Sequence, residues 1–493
     1  MASKIKDKFK EADKPEKPLT GGVIAAPDES RVKLKGKRFL FTAAQNNTDV
    51  HPGFLKALES MAADIGAQIV VSPFTYNKNG FQNQSKDQDE LFYDPKVSKY
   101  MLNKSAQVAE GLIFCGELDI LPTAVDPLSG LENYCRGDSG IVPHAKVALK
   151  SLPGMPSDGA RFLYTTGAVT QRNYIQRKAG QKAEFHHVFG ALLVEIDNDG
   201  QWHARQIIAD KSGSFYDLTT LYKNTGRILR NQRVEAINWG DIHVEKPDHT
   251  VSEVSFFAKD SILNQLKPKF QFIHDLSDFS TRNHHNIKDP HFLAKELRDG
   301  NTVEAGLRLA ADFLVATHRP TTVTVVVESN HDLAYRRWLK EGDPKLDPIN
   351  ARFFHESNAR VYKAIEEKDN KFHVFEWALR KLNPAVKAQF LTENDSFVIC
   401  KTDGGIECGL HGHIGPNGSR GNPRNLRTIG RKANTGHTHS AGIVDGVYTS
   451  GVSANLDMGY NHGPSSWSHS HIVTHPNGKR QIITIKPNGK WRA

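Results

Sequence analysis

Five short clusters in this chain carry side chains suited to divalent metals. They are Gly240-Asp241-Ile242-His243, His274-Asp275-Leu276-Ser277-Asp278, Ser329-Asn330-His331-Asp332, His411-Gly412-His413 and Gly436-His437-Thr438-His439. Each follows an apolar, β-rich run: 234–239, 270–273, 321–327, 406–410 and, least regularly, 428–430. Asp, His and Asn at strand ends, where loops converge on one edge of an α/β sheet, are what a two-metal hydrolytic centre requires. Two divalent ions about 3.5–4 Å apart activate a water and neutralise a phosphate together, and holding them so close calls for a bridging carboxylate, for which Asp275 is the candidate. Mixed Asp, His and Asn ligands suit Mn²⁺ best, with Fe or Zn as alternatives, whereas Mg²⁺ prefers oxygen alone. A single such cluster is a common accident, so the signal is the set of five.

The order Asp-x-His, Asp, Asn-His-Asp, His and Gly-His-x-His resembles the calcineurin-like metallophosphoesterase family, over about residues 235 to 470. Two positions depart from the family pattern, His274 and Ser329, each standing where the family has Gly. Neither change removes a ligand. The resemblance implies that Asp241, His243 and His439 share one metal with Asp275, and that Asn330, His411 and His437 complete the other. His413 is also available for the fourth motif; His411 is preferred because it precedes Gly412 directly after a strand-like run. His331 matches the family's proton donor to the substrate phosphate or leaving oxygen. Asp278 matches a position that supports the second motif from outside the metal shell, and Asp332 either orients His331 or caps the next helix, the cap being preferred.

The elements that must position these residues read as an α/β chain. Residues 1–36 mix Lys with Glu and Asp and form a flexible basic arm. A strand at 38–44, a helix opened by His51-Pro52-Gly53, and strands at 68–74, 111–115, 146–149, 161–166, 188–196 and 202–208 suggest a separate N-terminal α/β domain of unknown role at 37–232. Residues 77–94 read as a long loop. Asn198-Asp199-Gly200 predicts a hairpin turn. Residues 233–493 form the second domain, with helices over 302–318, 350–367 and 372–382 and strands at 446–450 and 481–485. The resemblance implies two sheets packed as a sandwich flanked by helices. No internal repeat is evident.

The chain has 493 residues, a 38% hydrophobic and 24% charged composition, and no apolar run near the roughly 20 residues of a membrane span. Its four cysteines include no C-x-x-C pair, and its polar start has no apolar leader, so a reducing cytoplasm is the expected setting. The net charge of +9 favours a polyanionic partner. Residues 409–444 hold no acid but do hold Arg420, Arg424, Arg427, Arg431 and Lys432, between two of the metal motifs. Arg420, Arg424 and Arg427 are therefore the candidate substrate contacts. His284, His285 and His291 could reach substrate or line a surface, and the further cluster His462, His469, His471 and His475 reads as exposed polar strand, with a third metal site as the alternative.

The function expected is that of a two-metal phosphodiesterase acting on nucleic acid, a DNA nuclease. The third motif ends in Asp332, as in the family's strand-break repair exonucleases, and the second lacks the Asp-Arg-Gly of its phosphoprotein phosphatases. The long arm and loops also resemble phage-encoded relatives that attack host DNA. The rivals are a phosphatase or cyclic-nucleotide phosphodiesterase on a small molecule, and a non-catalytic scaffold. Homo-oligomerisation is left open.

Overall fold

The strands of this chain alternate inward and outward residues with period two, and that alternation dictates how the sheets stack. In the computed structural model, which describes residues 31–76, 92–283 and 289–493, the chain is mixed α/β with several multi-stranded mixed sheets. Residues 1–30 of the arm predicted at 1–36, most of the predicted loop (77–91), and His284 and His285 lie outside the described residues, and the arm's Val32–Lys33 is corrected to a short strand paired with Ala106 and Gln107. In chain order the first strands are β1 (Val32–Lys33), β2 (Arg38–Gln45), β3 (Gln68–Phe74), β4 (Ser105–Ala109), β5 (Leu112–Cys115) and β6 (Ser139–Val142). Then come β7 (Leu149–Leu152), β8 (Arg161–Thr165), β9 (Gly190–Ile196) and β10 (Trp202–Ile208). A small meander follows: β11 (Phe215–Asp217), β12 (Thr220–Tyr222) and β13 (Ile228–Leu229). The remainder are β14 (Ala236–Asn238), β15 (Phe270–Ile273), β16 (Val323–Val327), β17 (Gln389–Leu391), β18 (Val398–Ile399) and β19 (Ile406–Glu407), then β20 (Lys432–Thr435), β21 (Gly442–Val444), β22 (Val447–Thr449), β23 (Ser470–Thr474) and β24 (Arg480–Thr484).

Eight or more residues make up each of α1 (Pro52–Ile65), α2 (Lys178–His186), α3 (Pro290–Asp299), α4 (Val303–Ala316), α5 (Asp332–Glu341), α6 (Ala351–Glu366) and α7 (Val374–Leu382). No helix among the described residues is long and apolar enough to cross a membrane.

An eleven-stranded sheet forms one layer, in the order β1-β4-β5-β6-β8-β7-β21-β22-β20-β19-β18. Opposite it lie a four-stranded sheet, β10-β9-β2-β3, and a six-stranded sheet, β17-β16-β15-β14-β23-β24. The last two meet where Gln206 of β10 accepts from the Ile482 N–H and the Gln481 side-chain amide. Phe39, Phe41, Leu192 and Val194 of the four-stranded sheet pack on Phe114, Ile141, Phe162 and Tyr164 of the large sheet. Ala236, Phe272, Val325 and Val327 of the six-stranded sheet pack on Ile399, Ile406 and Cys408. Their alternate neighbours, Ile237, Ile273 and Val326, face a helical layer that includes Leu307, Leu314, Tyr335 and Leu379. Helix α1 covers the outer face of the four-stranded sheet.

The expected boundary at 232/233 does not separate the sheets, because β7 pairs antiparallel with β21 inside one sheet. The strand order also reads as a repeat that the sequence hides. From that seam outward, β7-β8-β6-β5-β4 on one side matches β21-β22-β20-β19-β18 on the other. Each matching pair of neighbours keeps its direction: antiparallel, parallel, parallel, antiparallel. In the other layer β3-β2-β9-β10 matches β15-β14-β23-β24, again parallel, antiparallel, antiparallel. The chain order of the matched strands is preserved throughout, and in sequence Tyr164-Thr165-Thr166-Gly167 corresponds to Tyr448-Thr449-Ser450-Gly451. The C-terminal half adds β16, β17 and helices α3 to α7.

Several histidines are buried as neutral rings. His144, His187 and His475 are pushed down by burial, to about 4, 3 and 4. In the unfolded chain each titrates near 6.5. Below that value the unfolded state binds protons the folded state refuses, so stability is full above pH 6.5 and falls as pH drops toward 4. Urea midpoints measured between pH 7 and 4.5 should therefore decline. His187→Phe should flatten the decline by about 1.4 kcal/mol per pH unit. An unchanged slope in that variant would mean that His187 is not held neutral.

Candidate metal centre

Strands β14, β15 and β16 run parallel in the six-stranded sheet, and β19 and β20 run parallel in the large one. The loops after all five strands bring the five clusters together. The run before the fifth cluster is β20, at 432–435, and not the predicted 428–430, which forms a 3₁₀ turn ending at Gly430. Below the site the two sheets are tied by Asn434, whose buried side-chain amide donates to Asn238 Oδ1 at 2.8 Å.

At the centre, one ligand atom from each of Asp241, His243, Asp275 and His439 lies within 4.8 Å of the others, and all four residues are buried. His439 Nε2 is 3.1 Å from Asp241 Oδ2 and 3.2 Å from His243 Nε2. Asp275 Oδ2 is 3.5 Å from His243 Nε2 and 3.4 Å from His411 Nε2. His411 Nε2 is also 3.2 Å from Asn330 Oδ1. Asp275 thus stands between the two expected ligand groups. His437 packs its ring on His411, with centroids 5.2 Å apart, and its N–H donates to Asp241 Oδ2 at 2.7 Å. Its imidazole lies outside the four-residue group. His413 Nε2 turns away to Glu393, 2.9 Å distant, which leaves His411 as the ring that meets Asp275.

The backbone is bent to make this convergence. His243, Asp275, His437 and His439 have φ of 46°, 42°, 71° and 55°. A non-glycine residue in the left-handed region is uncommon and costs on the order of 1–3 kcal/mol, and such residues gather at functional sites. Gly436 is required by close approach: a Cβ there would lie 2.1 Å from Asp241 Oδ1.

Charge is the second constraint. Burial would raise Asp275, but His411, His331 and His243 hold it well below the usual carboxylate range. Burial would lower His411, but Asp275, Asp241 and Asp332 raise it to about 9. The carboxylates therefore favour positive charge at this position, which a bound cation would supply in place of the proton. Asp241 Oδ1 and Asp275 Oδ1 are nevertheless buried with no hydrogen-bond partner among the described residues, as are the Nδ1 atoms of His411 and His439. Burying unpaired polar atoms is costly, and divalent cations would satisfy the two carboxylate oxygens. The donor set could hold a metal ion.

Support residues surround the cluster. Asp278 Oδ1 lies 3.1 Å from His243 Nδ1, and its Oδ2 lies 3.0 Å from Lys246 Nζ, in the supporting place expected. The Asp278 carbonyl accepts from His331 Nδ1 at 2.9 Å. Asp332 neither orients His331 nor caps α5. It accepts from Ser277 N–H at 3.1 Å and Ser329 Oγ at 2.9 Å, joining the loops after β15 and β16. Sequence reasoning missed three residues: Glu245, His471 and Trp467. Glu245, half-buried, accepts from Ser277 Oγ and the Asp278 and Phe279 N–H groups. His471 accepts from Gly240 N–H at 2.9 Å and lies 3.0 Å from Ser255 Oγ. Trp467 stacks edge-on against His439. The expectation of an exposed polar strand at 469–475 is corrected, since His469, His471 and His475 are all buried and hydrogen-bonded.

The basic loop is also corrected. Acids from elsewhere meet it: Arg424 pairs with Asp126 at 3.3 Å, Arg427 with Asp445 at 2.8 Å and Arg431 with Glu407 at 3.3 Å. Arg420 is exposed. His291 is exposed on α3. In the N-terminal half the position matching Asp241 is Ala43. Ala43 N–H donates to Gly167 O and its carbonyl accepts from Val169 N–H, as Asp241 does with Gly451 and Ser453. That half lacks the carboxylate.

Over a 509-residue alignment the sequence is 44% identical to Protein A1 of Escherichia phage T5, covering 100% of this chain and 89% of that protein. The chain belongs to the phage T5 Protein A1 family. No family model matches the chain, and no solved structure matches it.

Elemental analysis of protein loaded with Mn²⁺ should find about two metals per chain. Asp275→Ala should lose most of both, and His411→Ala should lose metal where His413→Ala keeps it. Full retention in Asp275→Ala would remove the bridging role.

Proposed function

We propose that this protein is a two-metal phosphodiesterase that cleaves DNA. The observation that carries the reading is the meeting of buried Asp241, His243, Asp275, His411 and His439 with the exposed Asn330 at the ends of parallel strands from two facing sheets. The calcineurin-like resemblance of the motif order supports it, and the ligands present argue against a scaffold that has lost its metals. Asp241, His243, Asp275 and His439 would hold one ion, and Asp275, Asn330, His411 and His437 the other, with His437 turning its ring inward. When bound, the pair supplies an activated water and charge neutralisation at the phosphate.

The chain's own residues do the rest. Asp278 lies against two rings: its carbonyl accepts from His331 Nδ1, and its Oδ1 stands 3.1 Å from His243 Nδ1. With Nδ1 so engaged, His331 has Nε2 free to give a proton to the leaving oxygen. Burial disfavours its charge, but Asp275 and Asp278 outweigh burial and raise it above the ordinary histidine value, which favours the protonated form a proton donor needs. His331 and Asn330 line an open cavity of about 330 Å³, which is where the scissile diester would sit. A small-molecule phosphodiesterase is the second reading, favoured by the pairing of Arg424 and Arg427 with acids, which removes part of the expected polyanion track.

His331→Ala should keep its metals and its melting temperature while turnover on a diester with a poor leaving group falls about 10²-fold or more. Loss of metal from that variant, or unchanged turnover on good and poor leaving groups alike, would refute the proton-donor role. Purified protein with Mn²⁺ assayed on linear, circular and single-stranded DNA, with bis-p-nitrophenyl phosphate beside them, separates the two readings.

A further inference from the structure

The cavity at Asn330 and His331 does not end there. Leu333 and Glu393 line it and also line a second cavity of about 910 Å³, walled by α5, α6, the start of α7 and the turn after β17. Four cations project along this wall: Arg336 and Lys340 from α5, and Lys368 and Lys371 from the α6–α7 turn. None of the four side chains forms an ion pair among the described residues. The nearby acids are already engaged. Glu328 lies 2.9 Å from His373 Nε2 and accepts from Glu393 N–H, Glu393 lies 2.9 Å from His413, and Asp369 accepts from Lys371 N–H. Between the lysines and α5, Tyr362 presents its ring to solvent, 62% exposed. A groove with unpaired cations and an uncovered aromatic ring, continuous with the candidate centre, is suited to a polynucleotide strand. Phosphates meet the cations, and a base needs a free face to stack on the ring.

We propose that this groove takes a single-stranded segment of nucleic acid, its backbone on Arg336, Lys340, Lys368 and Lys371 and one base on Tyr362. Bases inside a duplex offer no free face to Tyr362, so the occupant is an unpaired strand. The proposal rests on the phosphodiesterase reading only for what happens where the strand reaches His331; the binding itself does not depend on cleavage.

The test is fluorescence anisotropy of the full chain with a labelled oligothymidylate of about 20 nucleotides, in EDTA so that cleavage cannot intervene, over a salt series. Tyr362→Ala should weaken binding about ten-fold. Lys368→Ala with Lys371→Ala should flatten the log–log salt dependence by about 1.4, or 0.7 per lost contact. Melting temperatures of both variants report that the fold persists. Wild-type affinity and slope in both variants would overturn the proposal. Equal losses for a blunt duplex would overturn the single-strand assignment, and displacement by polyglutamate as readily as by unlabelled oligonucleotide would replace it with an acidic-peptide site. If the oligonucleotide binds as proposed but Mn²⁺-loaded protein cleaves no diester, the groove stands and the phosphodiesterase reading falls.

Discussion

The structure turns on two buried carboxylates, Asp241 and Asp275, that share one pocket. Like charges at such range in a low-dielectric interior are untenable without positive charge beside them. The pull of these carboxylates raises His411 to about 9 and also raises His331. The unpartnered oxygens of both carboxylates show that hydrogen bonds do not complete the compensation. Much of the surrounding structure follows from holding these groups together: four ligand residues bent into left-handed backbone, a glycine where any Cβ would strike Asp241, and an inner ring of Asp278, Glu245 and His471 that fixes the loops.

The sheets explain how five distant clusters meet. Parallel strands deliver their following loops to one edge, and β14 to β16 in one layer face β19 and β20 in the other. Alternation of Ala236, Ile237 and Asn238, and of Val325, Val326 and Val327, sends one set to the opposite sheet and one set to the helices. The N-terminal half repeats the same strand plan without β16, β17 or the Asp241 carboxylate. Its strands complete the large sheet at β7–β21 and abut the second layer at β10–β24, so it shields edges that the C-terminal half would otherwise expose.

Strong local signals were legible in the sequence. The β-branched run before Ser329 and the apolar run 270–273 became β16 and β15, and the Pro52 helix and the Asn198-Asp199-Gly200 hairpin formed as predicted. Order and spacing nominated Asp241, His243, Asp275, Asn330, His411 and His439, which the fold brings together, and His437, whose imidazole stays outside the four-residue group. What the sequence hid depends on distance in space. The acids that neutralise Arg424, Arg427 and Arg431 come from Asp126, Asp445 and Glu407, outside the acid-free stretch. His471 and Glu245 act through backbone N–H groups, which leave no motif. The repeat survives in strand direction and order, which packing preserves, while nearly all side-chain identity has drifted.

Anomalous scattering from crystals grown with Mn²⁺ reaches the central claim most directly. Two peaks about 3.5–4 Å apart, both within bonding distance of Asp275, are the predicted result. A single peak, no peak, or density confined to His413 and Glu393 would contradict a two-metal centre built on that carboxylate.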